Sequence, residues 1–181
     1  VNHMEPTSKE ADIAGVTNSR RCGECAHCNG ILKGDIIAHP SKGFPIKLNG
    51  HFTCNSTGVI YMIKCPCGLT YVGQTSRSIK TRLKEHKSSI RNYTPDIEKQ
   101  ESKKENISEM SVAKHFFHNK HTVAQLRWNI LEQVTTERGG NIRKRLLQRE
   151  AVWIKRLDSL TPMGLNESFN MRCFLYVTIF Y

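Results

Sequence analysis

The sequence predicts an α/β fold in which a small, mainly antiparallel three-stranded sheet is flanked by helices and braced by metal-binding extensions. Three observations predict it. Val59 to Lys64 and Leu69 to Gly73 are short β-prone runs separated by Cys65-Pro66-Cys67-Gly68, whose proline and glycine suit a tight reversal. Leu126, Trp128, Ile130 and Val134 alternate with polar residues, the pattern of a half-buried third strand. Apolar residues recur at helical spacing at Ile79, Leu83 and Ile90, and again at Ile142, Leu146, Leu147, Trp153, Ile154 and Leu157.

In chain order, residues 1–20 are polar and lack an apolar signal-peptide core, so they read as a disordered or cloning-derived N-terminus. The seven cysteines are therefore expected to bind metal rather than form secreted-type disulfides. Residues 21–57 form a Cys-rich, zinc-binding extension. Cys22, Cys25 and Cys28 are two overlapping CxxC knuckles, and Cys54 completes the four ligands that tetrahedral zinc requires. His27 competes for one of these places. Ile31 to Gly50 reads as an extended loop or short hairpin held by the metal.

The main domain spans residues 58–168. After the hairpin, Ser76 or Ser78 is available to cap a helix on which Arg82 and His86, four apart, share a face directed toward Tyr61 and Tyr71. Cys65 and Cys67 sit too close in sequence for a common disulfide and suit one metal; His115, His118 and His121 are the available partners. Residues 92–108 carry mixed charge without apolar period and read as a flexible insertion. Gly139-Gly140 breaks the chain before the last helix, whose apolar stripe contains Glu150. A buried carboxylate needs a partner, either an ion pair with Arg149 or Arg143 at the helix rim or a metal ion. Residues 169–181 form an apolar tail, a packed strand or a sticky end, and thirteen residues cannot cross a bilayer that needs about twenty as a helix.

With 27 Lys and Arg against 16 Asp and Glu, the chain carries a net charge of +11, as a polyanion-binding protein would. The excess is clustered. Arg77, Lys80, Lys84, Lys87 and Arg91 lie along the helix beside the two tyrosines, with Glu85 the acid opposing them, and are the expected DNA-backbone contacts.

Gly58-Val59-Ile60-Tyr61, then Tyr71-Val72-Gly73, then Arg82 and His86, resemble the core of the GIY-YIG nucleases, with Val59-Ile60 where the family name has one isoleucine. Cysteines between the tyrosine motifs, the downstream histidines, Arg149-Glu150-Ala151-Val152-Trp153-Ile154 and Gly164-Leu165-Asn166 are similar to the endonuclease domain of Penelope-like retroelements. The resemblance covers roughly Cys22 to Asn166. It implies a zinc site of Cys65, Cys67, His115 and His121, and a nuclear protein that nicks double-stranded target DNA to prime reverse transcription. It also implies that the domain is the C-terminal part of a larger reverse-transcriptase polypeptide.

Hydrolysing a phosphodiester requires a base, a cation for the non-bridging oxygens and a Lewis acid. Glu150 is expected to hold Mg²⁺ or Mn²⁺ and Arg82 to bind the phosphate. Tyr61 is the favoured base, Tyr71 positions water or phosphate, and His86 relays the proton. Asn166 is expected to orient Glu150 or the scissile phosphate. The alternative from another class is a catalytically inactive, zinc-braced nucleic-acid-binding module in which the tyrosines are strand aromatics and Glu150 a structural acid.

Overall fold

A computed structural model describes residues 25–95, 107–136, 140–168 and 170–175. The predicted N-terminal stretch 1–20, Cys22, most of the 92–108 insertion and the last residues of the tail lie outside the described residues. In chain order the elements are β1 (Ile36–Ala38), β2 (Pro45–Lys47), β3 (Val59–Lys64), β4 (Thr70–Thr75), α1 (Ile79–Asn92), α2 (Ile107–His118), β5 (Arg127–Gln133), α3 (Ile142–Arg156) and a short α4 (Arg172–Leu175).

The expected three-stranded antiparallel sheet is present, in the order β4-β3-β5. Its middle strand is buried on both faces, which explains why Val59-Ile60-Tyr61-Met62-Ile63 is apolar throughout instead of alternating. On one face Val59, Tyr61 and Ile63 join Tyr71, Trp128 and Ile130 beneath Ile79 and Leu83 of α1 and Val112 and Phe116 of α2. On the other, Ile60, Met62 and Val72 meet Leu146, Trp153 and Ile154 of α3 together with Ile37 and Ile46 of the β1–β2 hairpin. Each such side chain contributes about 1.5–3 kcal/mol by leaving water.

Pairing between β3 and β5 shifts register at Ile60/Tyr61, so that Tyr61 opposes Ile130 while Ile60 opposes Glu132. The residue left between them, Leu131, is a β-bulge. It lets Leu131 and Glu132 both serve the α3 side of the sheet, where Leu131 packs in the second cluster and Glu132 bonds to α3.

Helix α1 starts after Ser78, as expected, but the serine hydroxyl bonds to Thr81 Oγ1 at 2.8 Å. The exposed helix amides are satisfied by main chain instead: Ile79 N–H donates to the Ser56 carbonyl and Lys80 N–H to that of Cys54, each at 3.0 Å. The Cys-rich extension thus seats the N-terminus of the helix that carries Arg82 and His86.

Part of that extension is a two-stranded antiparallel hairpin, β1–β2. Its own apolar residues anchor it. Ile37, Ile46 and Leu48 are buried in the α3 cluster, and the buried His39 donates from Nε2 to the Arg156 carbonyl at 3.0 Å. At the other end of the chain, α4 packs on α3, with Gln148 Nε2 donating to the Cys173 carbonyl at 3.0 Å. Among the described residues, no helix is long and apolar enough to cross a membrane.

Candidate active site

Tyr61 on β3 and Tyr71 on β4 face the same side of the sheet, because Tyr61 pairs with Gly73 and Ile63 with Tyr71. Their ring centroids lie 6.4 Å apart, and the His86 ring packs edge-on against both at 5.8 and 5.6 Å. Glycine at 73 is a steric requirement: a Cβ there would sit 2.5 Å from the Tyr61 phenol oxygen and 2.8 Å from the Tyr71 ring. This glycine was legible only as a motif letter; its purpose is to make room for the phenol.

The helical spacing of Arg82 and His86 brings both onto Tyr61. Arg82 Nε donates to the phenol oxygen at 3.0 Å, and His86 Nε2 lies 2.8 Å from the same oxygen. Arginine is always a donor, so the phenol oxygen accepts from Arg82; with His86 protonated on Nδ1 the phenol donates to Nε2, and with His86 protonated on Nε2 it accepts a second hydrogen bond. Burial, reinforced by the Arg82 charge, depresses His86 to about 3, consistent with a neutral imidazole. Burial and the neighbouring Tyr71 push Tyr61 well above the ordinary phenol value, against the opposing pull of Arg82.

Glu150 reaches this group from the other face. Burial raises its carboxyl to about 7, and the Arg82 charge and a hydrogen bond from the Gln74 main chain only partly offset that rise. Among the described residues no ion pair involves Glu150. Arg149, its expected rim partner, bonds to Glu132 instead, with Nη2–Oε2 at 2.6 Å and Nε–Oε1 at 2.8 Å.

Asn166 is buried and its amide is spent on strand β4. It accepts from Val72 N–H at 2.9 Å, donates to the Val72 carbonyl at 2.8 Å, and accepts from the Ser159 hydroxyl at 2.8 Å. Leu165 N–H donates to the Thr70 carbonyl on the same edge. Thr70, Val72 and Gln74 alternate along that edge, so Leu165, Asn166 and Glu150 meet successive outward-facing rungs. The Asn166 amide, expected to orient Glu150 or the phosphate, is in this structure bonded to the β4 main chain and to Ser159.

Tyr61, Tyr71 and His86 are fully covered, whereas Glu150, and Glu85 on α1, are half-buried. Arg82, which contacts the Tyr61 phenol, also contacts Glu85. Glu85, noted in the sequence only as an acid among bases, accepts from Arg82 Nη1 at 3.1 Å. Its spacing of three from Arg82 is the signal that could have found it.

Of the predicted DNA contacts, Lys80, Lys84 and Arg91 are exposed on one stripe of α1. Lys87 belongs to the stripe but is half-buried, with Nζ 3.4 Å from the Ala26 carbonyl. Arg77 is tied to Glu85, Nη1–Oε1 at 2.7 Å.

Two cysteine-containing groups lie apart from the tyrosines. Cys65, Cys67, His115 and His121 bring four donor atoms within 4.8 Å of one another. The Cys65 and Cys67 sulfurs are in contact, and His115 Nε2 is 3.2 Å from each. His121 Nε2 is buried with no hydrogen-bond partner, an orphan that a metal ion would satisfy. The competitor His118 is exposed and packs edge-on against Tyr93 and Phe117, outside the group. The second group holds Cys25, Cys28 and Cys54, with Cys28 Sγ 3.4 Å from both other sulfurs. His27 is not among its donors, and Cys22, the remaining predicted ligand, lies outside the described residues. The first group has the thiolate and imidazole donors, and the second the thiolate donors, that zinc selects.

A family model described as the GIY-YIG catalytic domain matches residues 57–166. That interval begins just before β3, ends at Asn166 and contains Tyr61, Tyr71, Arg82, His86 and Glu150. Neither a search of the curated proteins nor one of the solved structures finds a significant match. With more than half of its length matched, and with the tyrosine, arginine, histidine and glutamate side chains brought to strands β3 and β4, the chain belongs to the GIY-YIG catalytic domain family, a family of endonucleases.

Proposed function

We propose that this chain is a divalent-metal-dependent DNA endonuclease that nicks target DNA, and that it serves a Penelope-like retroelement by providing the primer end for reverse transcription. The observation that carries the nuclease reading is the chain of contacts from Arg82 through Tyr61 to His86, with the half-buried Glu150 meeting it at the β4 edge. The retroelement assignment rests on sequence resemblance, including the order of the cysteines, the histidines and the Arg149-to-Ile154 segment. In this reading the domain works in the nucleus within a larger reverse-transcriptase polypeptide.

Glu150 would hold Mg²⁺ or Mn²⁺. Its carboxylate fits that task, because it is drawn out of water without a cationic hydrogen-bond partner among the described residues. When bound, the ion supplies Lewis-acid stabilisation of phosphoryl and leaving-group oxygens. Arg82 offers a permanently charged donor to the non-bridging oxygens as negative charge grows there. Tyr61, as the phenolate that the Arg82 charge and the metal would favour, would take the proton of the attacking water and become the phenol, and His86 on the same oxygen would relay that proton outward. Tyr71 walls the same space and positions water. Because both phenols are buried, the DNA-bound form must open the surrounding layer to admit water to Tyr61.

The α1 stripe of Lys80, Lys84, Lys87 and Arg91, with Arg77 at its start, would follow the DNA backbone and give salt-dependent, weakly sequence-selective binding. Cys65, Cys67, His115 and His121 would hold one structural zinc ion, and Cys25, Cys28 and Cys54 with Cys22 a second. Elemental analysis should therefore find about two zinc ions per chain. The test of function is to incubate supercoiled plasmid with the protein and Mg²⁺ and look for open circles. Binding without nicking would favour the inactive zinc-braced module.

A further inference from the structure

The side chain of Arg82 enters a layer made of two phenols and a neutral imidazole, none of which can balance its charge. A guanidinium placed there needs an anion to stay in one orientation. Glu85, one helical turn on, supplies it. Its Oε2 accepts from Arg82 Nη1 at 3.1 Å and from Arg77 Nη2 at 2.9 Å, while Arg77 Nη1 lies 2.7 Å from Oε1. The carboxylate is therefore clamped on its outer side before it engages Arg82. These two hydrogen bonds outweigh the effect of burial and hold the Glu85 carboxyl below its ordinary value, so it is charged at neutral pH.

We propose that Glu85 is a positioning residue for phosphodiester hydrolysis, fixing the Arg82 guanidinium on the Tyr61 phenol through a carboxylate that Arg77 holds in place. The inference rests on the nuclease reading above and adds two members to its machinery. With Glu85 on one arm of the fork and Tyr61 on Nε, both torsional ends of Arg82 are fixed before DNA arrives. An orientation set in advance need not be bought from binding energy when charge develops on the phosphate. Without Glu85, the Glu150 charge still acts on Arg82, and a guanidinium drawn toward it would leave the phenol.

The experiment compares wild type, Glu85→Gln, Glu85→Asp and Arg77→Ala as full chains. Single-turnover nicking should fall about tenfold in Glu85→Gln, with DNA affinity unchanged or tighter because a negative charge has gone. Glu85→Asp should recover part of the loss, and Arg77→Ala should lose only two- to threefold. In DNA-free protein without added Mg²⁺, the Arg82 Nε–H resonance should be protected from exchange in wild type and lose that protection in Glu85→Gln. A merely structural role would lower the melting temperature without moving that resonance in the folded protein. If wild type nicks and Glu85→Gln matches it in rate and in Arg82 protection, this inference falls and the nuclease reading stands. If wild type never nicks, the nuclease reading falls and takes this inference with it.

Discussion

Gln74, Ile60 and Glu132 lie side by side on β4, β3 and β5, and two consecutive residues of α3 meet the opposite ends of this rung. At the β5 end, Glu132 is saturated: it binds Arg149 through two arms of the guanidinium and accepts from Trp153 Nε1 at 2.7 Å. At the β4 end, Glu150 has a main-chain donor and the distant Arg82 charge, and its carboxyl stands near 7. One acid is satisfied and fastens the helix to the sheet. The other is desolvated without being neutralised, a state that costs stability and persists where a site needs a carboxylate for an incoming cation. Two glutamates on one rung thus separate scaffold from chemistry.

The largest expected effect breaks the second half of that contrast. Glu150→Gln should lower single-turnover nicking by about a hundredfold or more, as loss of one transition-state contact does, while circular dichroism and DNA affinity stay near wild type. The nearly isosteric amide keeps the packing. Wild-type nicking by this variant at saturating Mg²⁺ would make Glu150 a second scaffold acid and erase the contrast.

A pH series sharpens it. In the metal-free folded protein Glu150 holds its proton up to about 7, above the ordinary carboxyl value. Folding is therefore favoured by that proton at low pH, and Glu150 contributes a growing penalty as pH rises from about 4.5 to 7. Over the same window the carboxylate needed for metal appears, so at limiting Mg²⁺ the nicking rate should climb up to tenfold per pH unit and level off above 7. Glu150→Gln should show neither slope. A stability curve identical in wild type and variant would mean that Glu150 titrates as an ordinary exposed acid.

How far this arrangement could be read in advance follows from the range of each interaction. Tyr61, Tyr71, Arg82 and His86 were legible because strand period two and helix period four determine their faces within a few residues of chain. Glu150 stood out as an acid inside an apolar stripe, which is again local. The Glu132–Arg149 pair was not legible: it joins residues 17 apart across a β-bulge that no run of apolar letters announces. Asn166 was legible as a position but its partner was not, since the Val72 main chain has no side-chain signal and lies 94 residues away. The β1–β2 hairpin was expected to depend on metal. Its packing on α3 was not legible, because Ile37, Ile46 and Leu48 have too short a period to declare a packing face.

The smallest expected effect tests the first half of the contrast. Glu132→Ala removes the acceptor for Arg149 and for Trp153 Nε1, leaving an arginine and an indole N–H without their partner at a half-buried site. Hydrogen bonds to a charged group are worth about 1.5–3 kcal/mol each when buried, and partial exposure of both ion-pair partners reduces this, so we expect a loss of about 1–2 kcal/mol in urea unfolding. Arg149 also gains a choice. Released from Glu132, it is adjacent in sequence to Glu150 but leaves the helix in a different direction, so it should turn to solvent rather than neutralise the acid proposed to hold the metal. Nicking per folded molecule should therefore remain within about twofold of wild type. A large loss of rate in a well-folded Glu132→Ala protein would mean that the two ends of the rung are coupled, and that Glu132 keeps Arg149 away from Glu150.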